Sequence, residues 1–86
     1  MNQVDIFKAL GNPTRLRILD SVKKKKRCIC EIIPIARKSQ PDVSNHIKIL
    51  KNAGLISQER NGINIFIEAS NKHIFDIIGM ARRLLE

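Results

Sequence analysis

Apolar positions recur at helical spacing in four stretches of this chain, then alternate for one stretch, then return to helical spacing. Val4, Phe7 and Leu10 predict a short helix from Asn2 to Leu10, ended by Gly11, with Ile6 off that stripe. Asn12 is a suitable N-cap and Pro13 fits the first helical position. A second helix should therefore run to about Lys23 with Leu16, Leu19 and Val22 on its buried face. Cys28 to Ala36 is apolar enough for a short packed helix, but Pro34 in mid-helix would lose a hydrogen bond and clash with the Cys30 carbonyl. A start near Ile32, with Pro34 in the first turn, avoids this. Ser39-Gln40-Pro41 opens the next helix, whose inward stripe is Val43, Ile47 and Leu50 and whose stop is Gly54. Asp42, Asn45 and Lys48 fall on its outward side.

From Leu55 to Glu68 the period becomes two. Ile63, Ile65 and Ile67 alternate with Asn64, Phe66 and Glu68, and Arg60-Asn61-Gly62 carries the Asn-Gly signature of a tight hairpin. This predicts a two-stranded wing with a polar tip, where Arg60 and Asn61 suit a phosphate backbone or minor groove. Ser70-Asn71 caps a last helix, Lys72 to Glu86, with Ile74, Ile77, Ile78, Ala81 and Leu84 in register and Phe75, Met80 and Leu85 widening the stripe. The expected fold is mainly α with a small β-hairpin: about five helices and a two-stranded wing in a winged helix-turn-helix arrangement, one domain over residues 1–86. Eighty-six residues bury a modest core. The first and last helices are therefore expected to join two copies through Val4, Phe7, Ile74, Phe75, Ile78 and Leu85.

Charge sharpens the functional reading. The net charge is +8, and Lys23 to Lys51 holds nine basic and two acidic residues, whereas Asn52 to Glu86 has four of each. A localised basic field suggests a polyanion, nucleic acid before an acidic membrane surface; solvated lysines that merely confer solubility are the bland alternative. Aromatics make up 3% of the chain, too few for a platform that stacks single-stranded bases. Met1 to Leu10 has neither a basic leader nor an apolar h-region, and no apolar run nears about 20 residues, so a soluble, cytoplasmic protein without a membrane partner is expected. Two histidines, no Gly-rich phosphate loop and no nucleophile beside a plausible base argue against an enzyme.

Cys28 and Cys30 are too close to staple a loop. Residues two apart converge on one side of an extended segment and diverge on a helix, so an extended stretch here would bring the thiols together. The basic block before them favours thiolates. Three readings stand: a thiophilic metal or thiol sensor, a redox switch through a local disulfide, or two small buried hydrophobes.

The stretches Phe7-Lys-Ala-Leu-Gly-Asn-Pro-Thr-Arg-Leu-Arg-Ile-Leu19, Cys28-Ile-Cys30, Ser39-Gln-Pro-Asp-Val-Ser-Asn-His-Ile-Lys-Ile-Leu50 and Ala53-Gly-Leu-Ile56 resemble the ArsR/SmtB family of winged-helix metalloregulatory repressors. The resemblance implies a homodimer that occupies double-stranded operator DNA and releases it when a ligand, often a soft metal ion, binds. It assigns Gln40, Pro41, Asp42, Ser44, Asn45, His46 and Lys48 to the recognition helix, opened by Ser39. His46 lies nearer the flank, as an orienting or backbone-contacting group or as a base reader, and Ser39 and Ser44 are open to cap and phosphate-donor roles. The resemblance also makes Cys28 and Cys30 a metal signature, with arsenite, cadmium, lead or zinc as inducer and no organic cofactor. The chain departs from the family where arsenite-binding members place a third cysteine, here Ile33, and at the terminal-helix metal site, where Asn71 and Leu84 replace an Asp and a His. A constitutive DNA-binding or transcription-machinery docking module that senses nothing is the competing class.

Overall fold

Side-chain caps fix where the first helices begin. The computed structural model describes residues 2–86. In helix α1 (Gln3–Leu10), Asn2 Oδ1 accepts from the Asp5 N–H at 3.0 Å while Asp5 Oδ2 accepts from the Asn2 N–H at 3.2 Å, a reciprocal capping box. Asn12 then caps α2 (Pro13–Ser21), accepting from the N–H groups of Thr14 and Arg15, with Pro13 in the first turn.

The buried faces of these two helices differ from the expected stripes. In α1 the core takes Ala9 and Leu10 and half-buries Ile6, while Val4 and Phe7 remain 59% and 56% exposed. In α2 the core takes Ile18 and Leu19, with Val22 at the C-cap, and Leu16 is exposed. Both helices are apolar around more than one face, so spacing alone does not say which face turns inward.

The basic residues Lys23 to Lys26 form an exposed turn, and Arg27–Cys28 make a two-residue strand, β1. Helix α3 (Ile29–Ala36) follows at once. It starts three residues earlier than expected because Cys28, in extended conformation, is its N-cap: Cys28 Sγ accepts from the Cys30 N–H at 3.2 Å and Glu31 Oε1 accepts from the Cys28 N–H at 3.1 Å. Pro34 therefore lies inside the helix, an arrangement that costs about 3 kcal/mol. Complete burial of Ile32 and Ala36 offsets it, at roughly 1.5–3 kcal/mol for a side chain the size of isoleucine. The helix ends two residues after Pro34, at Ala36; its C-cap, Arg37, takes a left-handed conformation (φ 57°) and donates its N–H to the carbonyls of Ile33 and Pro34.

Helix α4 (Gln40–Asn52) is capped by Ser39, whose Oγ accepts from the Asp42 N–H, and carries Pro41 in its first turn. Val43, Ile47 and Leu50 are buried as the spacing predicts. Gly54, at φ 77°, turns the chain into β2 (Ile56–Asn61), which pairs antiparallel with β3 (Asn64–Ala69). The register, Asn61 opposite Asn64, leaves Gly62-Ile63 as the turn, one residue later than the Asn-Gly signature suggests. Gly62 supplies the positive φ (65°), and Ile63 stands 94% exposed at the tip instead of continuing the inward alternation.

The wing also has a third strand. β1 pairs antiparallel with β3, Arg27 opposite Ile67 and Cys28 opposite Phe66, giving the order β1-β3-β2 in place of a two-stranded wing. The last helix, α5 (His73–Arg83), is shorter than expected at both ends; Asn71 Oδ1 accepts from the His73 N–H at 2.8 Å at its start. Ile18, Leu19, Ile32, Val43, Leu50 and Ile67 fill the centre of a single core contributed by α2, α3, α4 and the sheet. No helix among the described residues is long and apolar enough to cross a membrane.

Candidate nucleic-acid interface

Helices α3 and α4, joined by the turn Arg37-Lys38-Ser39, form a helix-turn-helix. The three buried residues of α4 fix its rotation about its own axis, and that rotation leaves Gln40, Pro41, Asp42, Ser44, Asn45 and Lys48 exposed. Ser39 is exposed as well, with its hydroxyl oxygen engaged as the cap. These are amide, hydroxyl, carboxylate and ammonium groups on one rigid surface, the chemistry that reads base edges and phosphates in a major groove. Arg60 and Asn61 are exposed at the end of β2, next to the wing turn.

His46 sits apart from this set. It is half-buried, and its Nδ1 lies 3.1 Å from Nη1 of Arg15 on α2. The same guanidinium donates from Nε to the Ala9 carbonyl at 2.7 Å and from Nη2 to the Lys8 carbonyl at 3.2 Å. Burial, then the positive charge of Arg15 and Lys38, holds the imidazole below its usual range against an opposing pull from Asp42. The ring is thus neutral at pH 7. Sequence spacing did not single out Arg15, which reads there as an ordinary surface charge in the first turn of a helix.

The two sulfurs of Cys28 and Cys30 are joined as a disulfide, with Cα atoms 5.1 Å apart. They converge because Cys28 is extended while Cys30 occupies the first turn of α3. Cys28 is buried and Cys30 exposed. The pair opens on a cleft of about 320 Å³ lined also by Gln40 and Ser44 from α4 and by Ile63 and Asn64 from the wing. Cys28 Sγ lies 3.9 Å from Asn64 Oδ1. The structure therefore brings the cysteine pair, the start of α4 and the wing turn to one place.

As metal ligands the pair is incomplete: among the described residues no group of three or more His, Cys, Asp or Glu side chains could hold an ion, and two sulfurs underfill both trigonal and tetrahedral shells. His73, exposed with its Nδ1 3.0 Å from Asp76 Oδ2, lies on α5.

The basic block is placed away from α4. Lys26 lies 5.6 Å above the Phe66 ring and 3.8 Å from Glu59, and Lys23 lies 5.9 Å above the Phe75 ring, so the block flanks the sheet and α5. The expected interface residues on α1 and α5 divide in two. Ile74 is buried in the chain's own core and is removed from the interface set, and Phe75 and Ile78 are half-buried against that core. Val4, Phe7 and Leu85 (87%) are exposed, together with Leu16, Ile77, Met80 and Leu84, which the expected interface did not include.

A helix-turn-helix with a polar second helix, flanked by a β wing, defines a winged helix-turn-helix DNA-binding regulator. The comparisons agree. The chain belongs to the arsR family of bacterial regulatory proteins, whose family model matches residues 12–58. It is 37% identical over 81 residues to an uncharacterised HTH-type transcriptional regulator of Methanocaldococcus jannaschii, covering 93% of this chain and 91% of that one. It is 33% identical over 72 residues to the arsenical resistance operon repressor of Staphylococcus xylosus, covering 84% of this chain and 62% of the relative. Against three further curated relatives it spans 55% of their length. In fold it superposes on a homodimeric winged helix-turn-helix DNA-binding domain from Mycobacterium bovis with a TM-score of 0.84 at 22% identity, covering 95% of this chain and 76% of that one. The family model describes bacterial regulatory proteins, and the relatives carry the names of transcriptional regulators and repressors.

Proposed function

We propose that this chain works in the cytoplasm as a homodimer that occupies double-stranded operator DNA, and that the Cys28–Cys30 pair is where an inducer acts. In this reading Gln40, Pro41, Asp42, Ser44, Asn45 and Lys48 face the major groove, Arg60 and Asn61 contact the backbone beside the wing, and Val4, Phe7 and Leu85 lie between the two copies. The observation that carries the inducer reading is the shared cleft: Cys28 and Cys30 line it together with Gln40 and Ser44 at the start of α4. A ligand seated on the sulfurs would share that cleft with residues of the proposed DNA surface.

The inducer class is a thiophilic metal or metalloid, with arsenite, cadmium, lead and zinc as candidates. When bound, such an ion would draw both thiolates onto one centre; Cys28 and Cys30 would hold it, and the missing ligands would come from water or small thiols. The paired sulfurs favour a second reading, in which the switch is the bond itself. Exchange with a small-molecule disulfide converts two cysteine thiols into the Cys28–Cys30 bond and releases two small thiols, which balances atoms and electrons.

One experiment separates these. A fluorescent 30-base-pair duplex enriched from a random pool by the reduced protein is followed by anisotropy while arsenite, cadmium, lead, zinc or a small disulfide is added. Metal-driven release that the Cys28→Ser/Cys30→Ser variant lacks supports the ion; release by the disulfide alone supports the redox switch. Identical behaviour of both proteins returns the cysteines to packing and leaves a constitutive binder.

A further inference from the structure

We infer that Arg15 and His46 are a positioning pair, in which the guanidinium anchored on the end of α1 holds the neutral His46 ring and so sets the angle at which α4 meets DNA. The inference rests on the reading of α4 as the recognition helix, and goes beyond it by assigning a role to a residue on α2, outside that helix.

Three hydrogen bonds from one side chain make the case. Two of them go to carbonyls in the last turn of α1, that of Ala9 and that of Lys8, which also accepts from the Gly11 N–H at 3.2 Å; a cation is favoured at this end of a helix. The third reaches 31 residues along the chain to His46, in the middle of α4. The planar fork of an arginine can serve all three at once; a lysine ammonium, a point charge on a flexible stem, cannot hold that geometry. α1 carries the exposed Val4 and Phe7, so this side chain links the apolar face of the molecule to α4.

The link has a definite protonation state. Nδ1 must accept from Arg15, so the ring is neutral and its proton sits on Nε2. Protonating Nδ1 would set a second cation 3.1 Å from the guanidinium. The charged groups around the pair are Asp5 and Lys8 on α1, Lys38 in the turn before α4, and Asp42 one turn earlier on α4, the last of which favours the protonated ring. Acid should therefore loosen α4 and weaken DNA binding. A histidine that simply touched phosphate would do the reverse, since its added charge would strengthen the contact.

The test uses the duplex enriched by the wild-type protein, under reducing conditions, at pH 7.5 and pH 5.5. Wild type should bind severalfold more weakly at the lower pH, because the bound protein holds the His46 ring neutral more firmly than the free protein does. His46→Asn places Oδ1 where Nδ1 stood and does not titrate; whatever its affinity at pH 7.5, it should lose the pH dependence. Arg15→Met should bind weakly at both values. His73→Gln leaves His46 as the chain's one histidine, so a proton NMR titration reads its pKa directly, and Arg15→Met in that background should raise it. Circular dichroism confirms that each variant stays helical across the range. Binding that strengthens on acidification, or a pH profile that His46→Asn leaves intact, overturns the inference while the recognition-helix reading survives. Failure to enrich any duplex defeats both.

Discussion

Two helices of this molecule carry apolar residues at the same spacing and use them differently. On α4, Val43, Ile47 and Leu50 are all buried inside the chain, and the face opposite them is polar. On α5, Ile74 alone is buried, while Ile77 and Met80, with Leu84 and Leu85 just past its end, are exposed, as are Phe7 and Leu16. The first helix is positioned by its own chain; the second is left with more apolar surface than one copy can cover. A helix that must present a fixed set of groups to DNA needs the first arrangement. A helix that waits for a second copy can have the other.

The sharpest way to break this contrast is in the anchor of α4. Leu50→Ala should cost about 2–5 kcal/mol of unfolding free energy by denaturant titration, because Leu50 is completely buried in the core. On the α5 side, Phe7→Lys with Leu85→Lys should change assembly without changing the fold, since both residues are exposed in the single chain. Sedimentation should then show a dimer for wild type and a folded monomer for the double variant; a wild-type monomer at micromolar concentration would remove the proposed dimer. Within the polar face, Gln40→Ala or Asn45→Ala should lose about 1–3 kcal/mol of discrimination between duplex sequences. Arg60→Ala, by contrast, should weaken all sequences alike and lower the salt slope by about one. Smallest is Gly62→Ala at the wing turn: the added methyl meets nothing within 4 Å, so the cost, roughly 1–2 kcal/mol, is that of holding φ at 65° with a side chain. A negligible change in melting temperature would mean that the turn rearranges instead.

The same contrast explains what could be read from the sequence. The inward stripe of α4 was legible because the one other large apolar residue of that helix, Ile49, falls off the stripe and is left exposed. On α1 and α2 the apolar residues serve two faces, and the spacing selected Val4, Phe7 and Leu16 where the core takes Ala9 and Ile18. Strand β1 escaped because two residues show no alternation, and its partners, Phe66 and Ile67, are almost forty residues away. The start of α3 did leave a signal. Cysteine is an unusual cap, yet Glu31 stands three residues after Cys28, where a capping box requires it. Arg15 left no signal of its own, since its role comes from meeting α1 and α4 in space.

The bond between Cys28 and Cys30 closes a ring with a single residue between its ends. Cross-links restrain an unfolded chain in proportion to the logarithm of the loop they close, so this one removes on the order of 1.5 kcal/mol of chain entropy, against nearly 5 for a loop of about 100 residues. It ties together no distant parts of the molecule. On that entropy alone, opening it should lower the melting temperature by roughly 6–12 °C, less than the loss expected for Leu50→Ala, so the sulfur chemistry of this segment tunes the stability of the fold without deciding whether distant parts of the chain come together.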